Sequence, residues 1–250
     1  MSALRTLQVD CGGRAAHVEV VGEGPEVVMV GTAAPVSLIR PAALALADFG
    51  LRVVNFHYGS GADEPEPRTA LAQVADVASV MAAVGVEACA LVGVSRGAMT
   101  AFGFAARYPA LVHRLVLVAP VAGWHDVIDV VDPIPDSDPE DPDGLLKQVF
   151  SQDFLESSRE QALSFLTTPP GTVDRVQRSE EDRFGADLRV DCPTLIVTGG
   201  GDLVVSAAHP ARYQAEIPGS IRIDVPDASH AWIMEDPGGF AGLVEEFLRA

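Results

Sequence analysis

The chain has 250 residues, 48% of them hydrophobic, enough to bury one large core, and a single α/β domain of this length is ordinary. It carries 35 acidic and 17 basic side chains, a formal net charge of −18 at pH 7. That excess argues against nucleic acid or an anionic membrane surface as a partner, since both need clustered Lys and Arg.

In chain order, Leu7-Gln8-Val9-Asp10 and Ala16-His17-Val18-Glu19-Val20 alternate apolar and polar residues on either side of Cys11-Gly12-Gly13-Arg14, the pattern of an antiparallel hairpin. After a turn at Glu23-Gly24-Pro25, Val27-Val28-Met29-Val30 is a continuous apolar run, as expected for a strand covered on both faces. A helix is predicted from about Ser37 to Phe49, stopped by Gly50, and a strand over 51–56. The glycine-rich turn over 58–63 lacks the Gly-Lys-Ser/Thr ending of a phosphate loop and runs into Glu64-Pro65-Glu66-Pro67, which disfavours a bound anion. Leu71, Val74, Ala78 and Met81 recur at helical spacing, with Gly85 as the stop. Further strands are predicted at 115–119, 193–198 and 221–225, and Phe240, Leu243, Val244 and Phe247 mark a last amphipathic helix. Strands alternating with helices predict a mostly parallel sheet with helices on both faces.

One interval breaks the alternation. Between Pro120 and Asp191 no buried strand is legible, far beyond an ordinary connection. Its first part, 126–143, holds eight acidic residues, no basic ones and four prolines, and reads as a solvated loop. Its second part has helical spacing in Leu145, Leu146, Val149 and Phe150, then Ser157-x-x-Glu160 as a capping box ahead of Ala162, Phe165 and Leu166. The expected organisation is a core of residues 1–120 and 192–250 with residues 121–191 inserted as a helical lid. Ligands of open α/β sheets bind at the carboxyl edge, so Trp124 at the lid entrance, with the lid's Leu and Phe residues, is expected to shape an apolar pocket.

The most informative stretch is Ala88 to Phe102. An apolar run meets Gly93-Val94-Ser95-Arg96-Gly97 and continues into small and apolar residues at helical spacing, which reads as strand, sharp turn, helix. A serine on so tight a turn needs neighbours without side chains, which Gly93 and Gly97 supply. The backbone N–H of Arg96, at the helix start, points where an oxyanion would form.

A nucleophilic serine needs a base and a group to orient it. Of six histidines, His17, His113 and His209 sit where surface or structural roles are expected, while His57, after a strand, and His125, at the lid entrance, stay open by position. His230 follows the last strand, at the carboxyl edge where Ser95 emerges. Asp202 ends the Gly199-Gly200-Gly201 turn at the same edge, and Asp126 is a second candidate acid. Cys11, Cys89 and Cys192 are widely spaced with no histidine at metal-ligand spacing, so free or buried thiols are expected. The first residues have no apolar signal core and no run of about 18 apolar residues follows, so a cytoplasmic protein is expected.

Taken in order, the elbow at 93–97, the 199–202 turn and the Ser229-His230 loop resemble the α/β-hydrolase fold superfamily over essentially the whole chain. The lead-in 22–25 to 31–32 and the 58–61 turn match as well. The resemblance implies a serine hydrolase with the triad Ser95, Asp202 and His230, a small-molecule substrate, and no metal or organic cofactor. Family members place the first oxyanion donor after a His-Gly pair, here Val30-Gly31, which carries that role to Thr32 beside Arg96. The implied activity is hydrolysis of a small or medium carboxylic ester, lactone or related acyl compound. A lyase of the same fold and a small-molecule receptor are the alternatives.

Overall fold

A computed structural model describes residues 3–31, 36–58, 70–121, 142–166 and 188–250. Eight strands form one sheet in the order β1-β2-β4-β3-β5-β6-β7-β8. The predicted hairpin is β1 (Arg5–Asp10) and β2 (Ala15–Val21), antiparallel with Asp10 opposite Ala15, and β2 runs antiparallel to β4 (Arg52–Tyr58). From β4 onward every pairing is parallel, through β3 (Glu26–Gly31), β5 (Cys89–Val94), β6 (Val112–Val118), β7 (Thr194–Gly199) and β8 (Ile221–Val225). This is the mostly parallel α/β architecture that the alternation of strand and helix patterns predicts.

The helices of the core are α1 (Val36–Asp48), α2 (Ala70–Val84), α3 (Gly97–Arg107), α7 (Ala208–Glu216), α8 (Trp232–Glu235) and α9 (Pro237–Arg249). Strand β3 shows why its sequence is an unbroken apolar run. Val28 and Val30 face a cluster built with Val77 of α2 and Phe104 of α3, whereas Val27 and Met29 face a second cluster with Leu46 of α1 and Val244 of α9. A strand covered on both faces has no polar side to offer. The edge strand β8 is different. Ile221 is 53% exposed, and Arg222 and Asp224 pair along the strand, as befits an edge where charge discourages pairing with another chain.

Between β6 and β7, among the described residues, three short helices interrupt the alternation: α4 (Pro142–Val149), α5 (Gln152–Ser157) and α6 (Arg159–Leu166). Helix α4 matches the predicted apolar spacing. The capping box does not hold as read. Ser157 is the last residue of α5 and its hydroxyl donates back to the Asp153 carbonyl at 2.8 Å, while Ser158 takes the position before α6. The true side-chain cap is Ser151, whose Oγ accepts from the Phe154 N–H at 3.2 Å and starts α5. A serine can bond forward as a cap or backward into its own helix, and the choice depends on where the preceding helix stops.

Phe150 stacks on Phe154 with centroids 5.3 Å apart and meets Phe165 edge-on at 5.8 Å. Phe150 and Leu146 are buried in the cluster shared with Ala231 and Met234, so these two side chains are spent on packing rather than on a pocket wall. The acidic stretch 126–141, the turn at 59–63, Thr32, Trp124, His125 and Asp126 lie outside the described residues. Among the described residues, no helix is long and apolar enough to cross a membrane.

Candidate active site

Strand β5 lies at the centre of the sheet and delivers Ser95 at its carboxyl end. Ser95 has φ 54°, a left-handed conformation that costs a residue with a Cβ about 1–3 kcal/mol and persists only where its surroundings impose it. Here the neighbours do so. A Cβ on Gly97 would lie 2.0 Å from the Val30 carbonyl oxygen, and one on Gly93 would lie 2.6 Å from Ala98 Cα. The helix can therefore start this close to β3 and β5 only because both flanking residues are glycine. The Ser95 N–H also bonds to the Val118 carbonyl at 2.8 Å, which locks the turn to β6.

Asp202 and His230 arrive on two loops that touch through backbone. Past β7, Gly200 N–H bonds to Val225 O at 2.8 Å and Gly201 N–H to Ala228 O at 3.0 Å. A Cβ on Gly199 would sit 2.2 Å from the Ala228 carbonyl oxygen. The glycines of this turn thus allow it to lie directly on the loop that follows β8. Asp202 leaves the turn with Oδ1 accepting from the N–H groups of Val204 at 2.8 Å and Val205 at 2.9 Å. Its other oxygen, Oδ2, faces His230 Nδ1 at 2.9 Å, and His230 Nε2 lies 3.0 Å from Ser95 Oγ. The Asp202 side chain is 4% exposed and that of His230 13%, and Ser95 is half-buried.

The sequence-derived trio is therefore assembled in one line. Because the Asp202 carboxylate can only accept, Nδ1 must carry its proton, and Nε2 is left as the acceptor toward the serine hydroxyl. The other described histidines fall elsewhere. His17 and His57 pair across β2 and β4, which places His57 within a strand rather than after one, and His113 lies inside β6 rather than before it. His209 was expected at a surface or structural position, and the structure buries it in α7. Burial pulls its pKa below the ordinary imidazole value, against the opposing attraction of nearby Asp202.

Cys11 and Cys89 are buried free thiols and Cys192 is half-buried. Burial pushes Cys89 up to about 12, far from thiolate reactivity. Among the described residues, no three His, Cys, Asp or Glu side chains converge as a metal site. A cleft of about 920 Å³ opens at the opposite, amino edge of the sheet between Cys192, Thr194, Gly219 and Ser220. It contains none of Ser95, Asp202 or His230, and its thiol, Cys192, is likewise raised above the ordinary value, first by burial. The line of Ser95, His230 and Asp202 lies at the carboxyl edge instead.

A family model described as the alpha/beta hydrolase family matches residues 25–243. The chain belongs to the alpha/beta hydrolase family. It is an enzyme, and several of the proteins it resembles are named hydrolase, lactonase or esterase. This hydrolase is 32% identical over 97 residues to RutD of Klebsiella pneumoniae (strain 342), whose name assigns it provisionally to carbamate hydrolysis; the match covers 38% of this chain and 36% of that relative. Among solved structures it is similar to the enol-lactonase from Burkholderia xenovorans LB400, with 23% identity and a TM-score of 0.77 over 98% of this chain and 100% of the other. A thermophilic esterase from Thermogutta terrifontis gives the same TM-score at 21% identity, covering 98% of each chain. At such identities the structural likeness speaks to the fold of the hydrolase and not to its substrate.

Glu235, beside the site, has no signal in the sequence, and Ser229 is legible there only as part of the Ser229-His230 loop. Ser229 and Glu235 join the His230 loop to the start of α5 by hydrogen bonds. Glu235 and Ser151 are 84 positions apart, and no local motif announces such a contact.

Proposed function

We propose that this hydrolase cleaves a small or medium carboxylic ester, lactone or related acyl compound through an acyl-enzyme on Ser95. The observation that carries the reading is the continuous path from Ser95 Oγ through His230 Nε2 and Nδ1 to Asp202, with steps of 3.0 and 2.9 Å. In the first step the Ser95 hydroxyl oxygen bonds to the substrate carbonyl carbon while its proton passes to His230 Nε2. Asp202 holds the Nδ1 proton in place and offsets the charge of the imidazolium. The tetrahedral oxyanion is received by backbone N–H groups of Arg96 and Thr32. Its collapse breaks the bond to the leaving oxygen, which takes the proton back from His230. Water then repeats the sequence in the deacylation half: His230 removes its proton, its oxygen bonds to the acyl carbon, and Ser95 leaves reprotonated.

Residues 121–191 act as the lid over this site, with Trp124 as an apolar wall that favours some acyl groups over others. Support comes from the bonds between the start of α5 and the His230 loop, which bring the inserted helices to the carboxyl edge. The relatives' lactone, ester and carbamate chemistry all centre on an acyl carbon attached to a heteroatom, which suits a serine nucleophile.

The test is rapid mixing of the enzyme with an accepted ester or lactone, with hydroxylamine added in parallel to intercept acyl groups. We expect an acyl adduct on the Ser95 peptide or a trapped hydroxamate. In Ser95→Ala and His230→Ala, turnover should fall by at least about 10³-fold with the fold intact. Turnover without adduct, burst or trapped acyl product points instead to acid-base lyase chemistry, and tight binding without turnover to a receptor.

A further inference from the structure

His230 is tied to the inserted helices directly on one side, through Ala231, and by way of Glu235 on the other, through Ser229. The Ala231 N–H is shared between the Val149 carbonyl at 2.9 Å and Ser229 Oγ at 3.1 Å. Ser229 Oγ donates in turn to Glu235 Oε1 at 2.7 Å, and the same Oε1 accepts from the Ser151 N–H at 2.7 Å. Residues 149 and 151 of the lid therefore face residues 231 and 229 of the loop, with Phe150 on one side and His230 on the other lying between the two ties. Ser229 is buried and Glu235 half-buried. The backbone that follows Glu235 is anchored as well. Helix α9 begins at the next turn, where Asp236 accepts from the Gly239 N–H at 2.8 Å, and α9 sends Phe240 and Val244 into the core.

We propose that Glu235, assisted by Ser229, is a positioning residue that ties the lid to the loop carrying His230 and so holds the imidazole over Ser95 Oγ. The inference rests on the reading of Ser95 and His230 as nucleophile and base. A single carboxylate oxygen anchored on a core helix serves both partners, so the lid segment 149–151 and the His230 loop cannot shift independently. Ionised acceptors make shorter and stronger hydrogen bonds than neutral ones, which suits a carboxylate to this double task. The consequence is that the base stands in its working place when the lid is seated, and loosening the tie misplaces an imidazole whose contact with Ser95 tolerates little error.

The experiment follows the rate at which a fluorophosphonate probe labels Ser95, by mass spectrometry of the full chain, in the wild type, Glu235→Gln, Glu235→Ala, Ser229→Ala and the Ser229→Ala/Glu235→Ala pair. Each is assayed well below its own thermal midpoint. Labelling in Glu235→Ala should slow by about 10- to 100-fold, the scale of a small misplacement of a reacting group. Glu235→Gln keeps an oxygen able to accept both bonds and should stay within about threefold of the wild type. Ser229→Ala should slow by about 10-fold, and the pair should be no more than about threefold slower than Glu235→Ala, since both act through one unit.

A wild-type labelling rate in Glu235→Ala, an equal loss in Glu235→Ala and Glu235→Gln, or losses that multiply in the pair overturns the proposal. Should Glu235→Ala fail to fold, Ser229→Ala decides, and its labelling at the wild-type rate overturns it as well. An unlabelled Ser95 in the wild type removes the hydrolase mechanism and this inference together. Normal labelling of the wild type with unimpaired variants removes the inference alone.

Discussion

Replacing Asp202 by Asn tests the catalytic line with an almost isosteric change, and the structure says which way the new amide must turn. The Asp202 carboxylate has two unlike tasks: Oδ1 accepts from the Val204 and Val205 N–H groups, and Oδ2 faces His230 Nδ1. An Asn side chain has one oxygen and one NH₂ group. With the oxygen on the two backbone donors, the NH₂ is directed at Nδ1, which must give up its proton to accept. The imidazole then carries its hydrogen on Nε2 and presents a donor to Ser95, so no base is available. The flipped amide would set its NH₂ against two backbone N–H groups, leaving two donors without an acceptor at about 1–3 kcal/mol each. The first orientation therefore wins, and with it the wrong tautomer. We expect kcat to fall on the order of 10⁴-fold, about 5 kcal/mol of lost transition-state stabilisation. The thermal midpoint should move little, since the turn keeps its two backbone bonds. Turnover of an accepted ester and thermal melting, measured on the same preparation, make the comparison. Retention of a tenth or more of the activity would refute the assignment of Asp202, and a large loss in Asp126→Asn would move the acid to the lid entrance.

Gly97→Ala places a methyl 2.0 Å from the Val30 carbonyl oxygen, so β3 or the elbow must yield; melting should show a loss of about 1–3 kcal/mol together with reduced turnover. Gly242→Ala in α9 is the control. Its Cβ meets nothing within 4 Å, and it should be neutral or stabilising. His209 has its pKa lowered by burial, so the unfolded chain binds the proton more readily than the folded one. Its contribution to stability is complete above the unfolded value of about 6.5 and is lost as the pH falls below it. Denaturant unfolding of the wild type and His209→Asn between pH 7.5 and pH 5, on the order of a pH unit either side of that value, should show the variant with the shallower decline; parallel declines would contradict the burial argument.

How much of this was legible beforehand depended on whether the controlling contacts are local. The strands β3, β5 and β7 are apolar runs because both of their faces are covered, and the sequence shows such runs directly. Ser95, Asp202 and His230 were found because each follows a strand at the same edge, and because glycines mark the two turns that need close backbone approach. The capping box at Ser157 failed because a serine hydroxyl has two competing backbone partners, and sequence spacing does not rank them. His57 and His113 were displaced by a residue or two of strand end, the least certain feature of any pattern. Glu235 was invisible for a different reason, since its partner Ser151 lies 84 positions away in the inserted helices and no periodicity links the two.

His230, the proposed base, hangs from the edge of the sheet. Ser95 rises from the central strand, among pairings on both sides, whereas His230 follows β8, which pairs with β7 alone and leaves Ile221 half in water. Hydrogen bonds along such a border open at lower free energy than those of the centre. Fraying of one outer strand would carry the imidazole away while the serine, the elbow and most of the hydrophobic interior stay assembled. Two thresholds on heating are therefore expected, one for activity and a later one for the fold. Inactivation ahead of bulk melting is the natural behaviour of a catalyst arranged in this way.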